Sequence, residues 1–283
     1  MSEASVRVDH DGGVAEIVLA RPERRNALDY AAVVELVAAL HAVEADDGVG
    51  AVLLRGDGRS FCAGGDLAEF RDGLSATAYD FHRGGEGWAE LMLMIPRMRT
   101  PVVVAPHGHA LAGGCGIVAA ADVAIAAEGT VFGTSEITIG LFPIIVYPTL
   151  AAAVGARAAR EMALTGRRLD AAEALRIGLV HRVVDADQHL AAARATAAEL
   201  AGFGAHALGL GKWFMRQVAD LPVEAATALA QSARGSFMAT PDFAEGLAAF
   251  AEKRPPRFRP TSGHDRGRAA EGATSVDGTE GRT

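Results

Sequence analysis

Two glycine-rich segments constrain the fold of this chain more than any other feature of its sequence. SFCAGGDL (60–67) follows the apolar run AVLLRG (51–56), and HALAGGCG (109–116) follows the apolar run VVVAP (102–106). A continuous apolar run this short is typical of a strand that is buried on both faces, as in a parallel sheet. Each glycine-rich segment then leads into a stretch of helical character. The sequence therefore predicts an α/β fold of short buried strands, each followed by a loop and a helix.

The glycines of these two segments also indicate a chemistry. Glycine lacks a Cβ atom, so its backbone can approach a ligand closely. The N–H groups at the start of a helix lie at the positive end of the helix dipole. Two such segments brought together would supply two converging N–H donors. That arrangement is an oxyanion hole, which stabilises an enolate or a polarised thioester carbonyl.

Outside these segments, the chain divides into regions of different character. Residues 5–20 have the alternation and the Asp-Gly-Gly turn of a β-hairpin, and Asp29 is suited to cap a helix that starts at Tyr30. From about Thr165 onward, Ala-rich amphipathic helices follow one another. We expect three regions: a core with the site (1–195), a C-terminal helical region (196–256), and a tail whose small and polar residues predict disorder (257–283).

The composition excludes several classes of function. A net charge of −8 argues against nucleic acid as a partner, since a phosphate backbone needs a basic surface. Cys62 and Cys115 are the two cysteines and no Cys-x-x-Cys motif is present, so we expect no disulfide framework and no metal site. The N-terminus has no apolar signal segment, and the apolar stretch 141–154 is too short to span a bilayer. We therefore expect a cytoplasmic protein without a membrane partner.

Several motifs in a fixed order point to a family. They are RPERRNALD, SFCAGGDL, HGHALAGGCG, FGTSEITIGLFP, TGRRLDAAEALRIGLVHRVV and the closing AFAEKRPPRF. Together they resemble the crotonase (enoyl-CoA hydratase/isomerase) superfamily over about residues 5–258. The resemblance implies a spiral of ββα units, a C-terminal helical region that forms homotrimers or hexamers, and acyl-CoA thioester substrates. It implies no separate cofactor, because CoA is part of the substrate.

The resemblance also assigns roles to individual residues. The oxyanion donors would be the backbone N–H groups of Ala63 and Gly113. Arg25 and Lys212 are candidates for contact with the CoA phosphates. Tyr147 and the bulky residues before it, 144–146, would shape the acyl pocket. The other expected contacts with the acyl-CoA are Ala27, Gly65, Asp66, Leu67 and Gly114.

One position departs from the family pattern. Family members that hydrate enoyl-CoA carry two glutamates; FGTSE supplies one, Glu136, but the other position is Gly116. Hydration divides naturally between a group that positions water and one that transfers a proton. A single carboxylate suffices to move a proton from the α-carbon of a 3-enoyl thioester to give a 2-enoyl thioester. Ile137 and Ile139 surround Glu136 with apolar groups, which would raise the pKa of Glu136. If the missing glutamate limits hydration, Gly116→Glu should raise the rate of hydration.

Three other functions are also compatible with the sequence. The chain could still be a hydratase, with His107 or His109 in place of the missing carboxylate, or an acyl-CoA binder with weakened catalysis. A reading from a different class is an NAD-binding oxidoreductase, because Gly114, Gly116 and Ala119 match G-x-G-x-x-A. The dinucleotide reading lacks its context, since VVVAP ends well before Gly114 and no tight strand-turn-helix is present.

Overall fold

Eight strands in two sheets and ten helices make up the described part of the chain, residues 4–72 and 74–258 of the computed structural model. Most of the tail predicted over 257–283 lies outside the described residues. The strands are β1 (Val6–Asp11), β2 (Val14–Leu19), β3 (Ala51–Gly56), β4 (Val102–Ala105), β5 (His109–Leu111), β6 (Val123–Ala127), β7 (Val131–Gly133) and β8 (Arg182–Val184). The helices are α1 (Tyr30–Ala45), α2 (Leu67–Asp72), α3 (Ala78–Arg97), α4 (Gly113–Ala120), α5 (Tyr147–Thr165), α6 (Ala171–Arg176), α7 (His189–Ala201), α8 (Ala205–Val218), α9 (Val223–Met238) and α10 (Pro241–Glu252).

The large sheet has the strand order β1-β2-β3-β4-β6-β8. β1 and β2 pair antiparallel as the predicted hairpin, and the other neighbours in this sheet are parallel. Because β3 and β4 lie inside the sheet and are covered on both faces, their sequences are continuous apolar runs instead of alternating ones. The predicted cap of α1 is also present, since the Asp29 carboxylate accepts a hydrogen bond from the Ala32 N–H at 2.8 Å.

A second, smaller sheet lies beside the large one. β5 and β7 pair in parallel, and Cys62 adds a parallel bridge to Ala110 of β5. Successive turns of the chain therefore place one segment in the large sheet, one in the small sheet, and then a helix. β4, β5 and α4 form one such turn, and β6, β7 and α5 form the next. This repetition is the predicted spiral of ββα units.

Helices cover both faces of the large sheet. On one face, Ala193 and Ala197 of α7 pack in a cluster with Leu53 of β3. On the other face, Leu54 belongs to the main core, which includes residues of α1 and α3. Adjacent residues of β3 thus serve opposite faces, as the geometry of a strand requires. α7 runs across the expected boundary at residue 195, because its alanines pack against the sheet.

The last three helices pack mainly on one another. α8 contacts α9 and α10, and it reaches the core through α3. Arg216 of α8 donates to the carbonyl of Pro96 near the end of α3 at 3.2 Å. Among the described helices, none is both long and apolar enough to cross a membrane.

Candidate active site

A cavity of about 240 Å³ opens between the two glycine-rich segments and the residues that precede α5. α2 and α3 complete its wall with Phe70 and Trp88, and the segment before α5 contributes Ile144, Ile145 and Val146. Sequence reasoning missed Phe70 and Trp88, although Trp88 lies on the apolar face of an amphipathic helix. The remaining lining residues are Ala63, Gly65, Leu67, Ala112, Gly113, Ser135, Glu136, Thr138, Ile139, Leu141, Phe142 and Pro143.

The two glycine-rich segments lie in direct contact. The Cys62 N–H donates to the His109 carbonyl at 3.0 Å, and the Leu111 N–H donates to the Cys62 carbonyl at 3.0 Å. A Cβ atom on Gly114 would lie 2.4 Å from the Cys62 carbonyl oxygen, so only glycine fits there. Gly114, expected to contact the ligand, therefore serves the packing of one segment against the other.

The N–H group of Ala63 is not available to a ligand. It donates to the carbonyl oxygen of Arg25 at 3.0 Å, so the prediction that Ala63 is an oxyanion donor is wrong. The N–H groups of Gly65 and Gly113 differ: within the described residues, neither has a hydrogen-bond acceptor. Gly113 is the first residue of α4, where helical N–H groups lack intrahelical partners. Both glycines also line the cavity, so their N–H groups are candidate donors to a ligand.

The segment before α1 fixes the position of Gly65. The Leu28 N–H donates to the Gly64 carbonyl at 2.8 Å, and the Asp66 N–H donates to the Leu28 carbonyl at 3.0 Å. Asn26 is fully buried, and its side chain donates to the carbonyls of Asp57 and Ser60 at 2.9 and 2.7 Å. Gly65 is thus held between two backbone hydrogen bonds that leave its own N–H free.

Two residues expected to contact CoA lie on this same segment. Arg25 has a positive φ of 54°, and its side chain is exposed. Its guanidinium makes no hydrogen bond within the described part of the chain. The carbonyl of Ala27 accepts from the Arg21 guanidinium at 3.3 Å, and Ala27 does not line the cavity.

Asp66 and Leu67 face different surroundings. Asp66 is buried and bonds to the Arg24 guanidinium at 2.6 Å and to the Ala68 N–H at 3.0 Å. Burial opposes its ionisation, but the hydrogen bonds from Arg24 and the Ala68 N–H, together with the charges of Arg24 and Arg21, outweigh burial and lower the pKa of Asp66. Leu67 lines the cavity and is 59% exposed. Asp66 therefore anchors the loop, whereas Leu67 forms part of the cavity wall.

Glu136 brings a carboxylate to the cavity. It begins a short 3₁₀ helix, Glu136–Ile139, directly after the segment that follows β7. Its Oε2 atom is buried and has no hydrogen-bond partner among the described residues. Burial raises the pKa of Glu136, as its apolar sequence neighbours predicted. The Oε2 atom of this carboxylate is therefore a base without a partner among the described residues, at the edge of a largely apolar cavity.

A side chain at position 116 would meet two neighbouring side chains. A Cβ atom at this position would lie 2.9 Å from Sδ of Met92 and 3.0 Å from a Cγ atom of Val146. Gly116 does not line the cavity, whereas Val146 does. The expectation that Gly116→Glu alone would supply a second carboxylate therefore conflicts with the packing.

Neither histidine replaces the missing carboxylate, because neither lines the cavity. His109 lies 3.2 Å from the Ser60 hydroxyl through its Nδ1 atom. His107 lies 3.1 Å from the Gly58 carbonyl through Nε2, and its ring packs 5.3 Å from that of His189. Both rings contact residues that do not line the cavity, so the structure gives neither histidine a place beside Glu136.

Tyr147 stands behind the cavity wall. Its ring packs against Phe142, with the centroids 6.0 Å apart, and Phe142 lines the cavity. The three residues before Tyr147 do form part of the wall, as expected. Tyr147 is therefore not a direct contact of the acyl pocket in this structure.

Lys212 is directed into the protein interior. Its ammonium group contacts the Asp122 carboxylate and donates to the carbonyls of Ile95 and Thr100 at 3.3 and 3.2 Å. Burial lowers the pKa of Lys212, although the Asp122 carboxylate opposes this shift. The three donors of the ammonium are all used. The prediction that Lys212 contacts CoA phosphate is therefore wrong, and the residue instead ties α8 to the core.

We expect Lys212→Ala to lower the free energy of unfolding by about 3 kcal/mol, because it leaves the Asp122 carboxylate without its partner. The affinity for CoA should stay unchanged. Chemical denaturation and calorimetric titration with CoA measure the two quantities. Weaker CoA binding at unchanged stability would contradict this structural role.

The geometry of α4 contradicts the predicted alternative of a dinucleotide-binding site. Gly114 and Gly116 lie inside α4, and β5 of the small sheet stands between β4 and that helix. Both glycines are packed against neighbouring protein atoms, so no space for a pyrophosphate adjoins them. The remote NAD-binding alternative is therefore wrong.

The fold and the cavity define an α/β protein of the crotonase type, and comparisons with known proteins give its family. The family model for enoyl-CoA hydratase/isomerase matches residues 9–261. The chain belongs to the enoyl-CoA hydratase/isomerase family.

Individual relatives match along almost their whole length. The chain is 36% identical over 261 residues to the "probable enoyl-CoA hydratase echA8" of Mycobacterium tuberculosis, covering 91% of this chain and 99% of that protein. It is 37% identical over 262 residues to a protein of Rhizobium meliloti with the name "probable enoyl-CoA hydratase", with coverages of 92% and 99%. The crystal structure of an enoyl-CoA hydratase from Mycobacterium smegmatis superposes with a TM-score of 0.85 at 33% identity, covering 90% of this chain and 99% of that one.

Proposed function

We propose that this enzyme moves a proton on an acyl-CoA thioester, with Glu136 as the single acid–base group. The N–H groups of Gly65 and Gly113 would hold the thioester oxygen. One observation carries the proposal: among the described residues, Glu136 is the ionisable side chain that lines the cavity, and its buried Oε2 has no partner. A carboxylate with a raised pKa is suited to take a carbon-bound proton and to return it.

Isomerisation of a 3-enoyl-CoA to a 2-enoyl-CoA is the reaction that needs only these groups. Glu136 removes a proton from C2, and the electrons of that bond delocalise into a dienolate. Gly65 and Gly113 stabilise the negative charge on its oxygen. Glu136 then returns the proton to C4, which leaves the double bond between C2 and C3. No water enters the reaction, and no atom is gained or lost.

Hydration of a 2-enoyl-CoA is the second candidate, because relatives at 36% and 37% identity are named as hydratases. In this reaction, water adds across the C2–C3 double bond. The geometry favours it less, since a water must be held and deprotonated while C2 receives a proton. Glu136 would have to perform both steps without a second carboxylate in the cavity.

A panel of 2-enoyl- and 3-enoyl-CoA substrates in D₂O, followed by mass spectrometry, separates the candidates. We expect conversion of 3-enoyl-CoA to 2-enoyl-CoA without addition of water, and only slow addition of water to 2-enoyl-CoA. Faster hydration than isomerisation would make the second candidate correct. Binding without turnover of any substrate would indicate the weakened acyl-CoA binder.

The expected partners follow from the same proposal. The exposed guanidinium of Arg25, on the segment next to Gly65, is a candidate contact for the CoA phosphates. The C-terminal helices expose large apolar side chains, among them Met215 (60%), Leu247 (54%) and Phe250 (85%). Exposed apolar surface of this kind supports assembly into a homotrimer or a hexamer.

A further inference from the structure

The space beside Gly116 is filled by two apolar side chains. A Cβ atom at position 116 would lie 2.9 Å from Sδ of Met92, and 3.0 and 3.1 Å from the two Cγ atoms of Val146. Both side chains are buried, with 2% exposure for Met92 and 5% for Val146. Protein interiors are close-packed, so a Cβ at position 116 requires the side chains of Met92 and Val146 to move. Position 116 and the side chain of Val146 therefore compete for one volume.

Val146 also faces the cavity that contains Glu136. It comes directly before α5, and its carbonyl accepts a hydrogen bond from the Leu150 N–H at 3.0 Å in the first turn of that helix. The preceding Ile145 is in contact distance of α3, since a Cβ on Gly85 would lie 3.4 Å from its Cδ1 atom. The hydrogen bond from Leu150 thus joins the backbone of Val146 to the first turn of α5. Its isopropyl group forms an apolar wall between Gly116 and the cavity.

We propose that Val146 determines which reaction the site performs, by closing the cavity on the side of Gly116. This inference rests on the proposed function of Glu136. Hydration needs a water whose oxygen bonds to C3, whose proton passes to a carboxylate, and whose place is fixed by polar partners. An ordered water is held by about 2–4 polar partners, and a valine wall supplies none. Isomerisation needs no water, so the wall permits it and disfavours hydration.

The packing can be tested without any activity measurement. Gly116→Ala should lower Tm in the wild type, because the new Cβ meets Val146 and Met92. In a Val146→Gly background, the same substitution should lower Tm by less, so the pair is coupled in a double-mutant cycle. Gly235→Ala is the matched control, since a Cβ there meets no atom within 4 Å and α9 accepts alanine readily. Additive effects of the two substitutions would overturn the proposed wall.

The reaction choice is tested with the ratio of hydration to isomerisation. Val146→Thr keeps the branched shape and adds a hydroxyl, and we expect it to raise this ratio. In Gly116→Glu/Val146→Gly, hydration of a 2-enoyl-CoA should rise by about 10²-fold or more, because one acid–base group contributes about 10²–10⁴-fold. Gly116→Glu alone should give no such gain, because its side chain has no path to the cavity.

The possible failures are distinguishable. If the wild type does not isomerise 3-enoyl-CoA, the proposed function fails, while the Tm coupling still reports on the wall. If the wild type isomerises but the ratio is unchanged in both Val146→Thr and Val146→Gly, the inference about Val146 is wrong by itself. A Gly116→Glu protein with wild-type Tm and the same hydration rate as the double variant would also overturn it.

Discussion

Replacing Glu136 with glutamine is expected to lower kcat for isomerisation of a 3-enoyl-CoA by about 10²–10⁴-fold. Glutamine keeps the size and the cavity position of the side chain but can neither take nor return a proton. The Kd for a saturated acyl-CoA should change little, because the Gly65 and Gly113 donors are untouched. Steady-state kinetics and calorimetric titration measure the two effects separately.

A matched control for this substitution is Glu128→Gln. Glu128 is an exposed carboxylate just before β7, outside the cavity. The Glu128→Gln variant should keep the wild-type kcat. Retention of kcat in Glu136→Gln, or an equal loss in both variants, would remove Glu136 from the mechanism.

Glu136→Gln also has an expected effect on stability, and the sign of this effect follows from the pKa of Glu136. Burial raises the pKa of Glu136 above its value in the unfolded chain, so between these two values the folded state binds more protons. Stability therefore falls as the pH rises through that window, and at neutral pH the ionised carboxylate is a cost to folding. Glu136→Gln should raise Tm at neutral pH, and its advantage should shrink as the pH falls below about 4, where both states become protonated. An equal Tm gain at both pH values would contradict a buried carboxylate with a raised pKa.

Much of the fold can be predicted from local sequence, because the relevant physics is local. AVLLRG and VVVAP are continuous apolar runs, and both form strands that are buried on both faces. Asp29 accepts from an N–H group of the first turn of α1, which is an interaction between residues close in sequence. The position of Glu136 after β7 and its apolar setting could also be read from its neighbours.

The detailed site could not be predicted in the same way, because it depends on contacts between distant segments. The family resemblance predicts the Ala63 N–H group as an oxyanion donor, and only the pairing with Arg25 and Leu28 shows that this N–H is used and that of Gly65 is free. Lys212 looks like a surface cation in sequence, yet Asp122 and backbone carbonyls bury its ammonium. A helix pattern gives the face on which a residue lies, but not the partner that meets it.

The surroundings of Gly116 also could not be predicted from the sequence. Its sequence position predicts the absence of a carboxylate but not what occupies the space. The structure fills that space with Met92 from α3 and Val146 from the segment before α5. The volume that a side chain at position 116 would need is thus filled by Met92 and Val146. We therefore do not expect Gly116→Glu alone to give hydratase activity.

Gly113 differs from the other glycines of α4, because it lines the cavity and its N–H group has no acceptor within the described residues. A Cβ at this position would lie 2.2 Å from Cζ3 of Trp88, so even alanine conflicts with the indole ring. Trp88→Ala removes that conflict and allows two matched variants, Gly113→Ala/Trp88→Ala and Gly113→Pro/Trp88→Ala. Proline is tolerated at the first position of a helix, but Ala112 has φ 49° and ψ −121°, a conformation that a residue with a Cβ avoids before proline; both variants therefore also carry Ala112→Gly. The two variants therefore differ chiefly in the N–H group.

The proline variant is expected to have a kcat about 10²–10³-fold below that of its alanine counterpart, which is the usual effect of losing one oxyanion donor. The infrared stretch of an isotope-labelled thioester carbonyl should shift to lower frequency when the ligand binds the alanine variant, because hydrogen bonds polarise the bond. Much of that shift should disappear in the proline variant, while the Kd for free CoA stays the same. Equal turnover and an equal carbonyl shift in the two variants would show that the Gly113 N–H does not hold the thioester oxygen, and Glu136 would then act without the charge stabilisation that makes an enolate accessible to a single carboxylate.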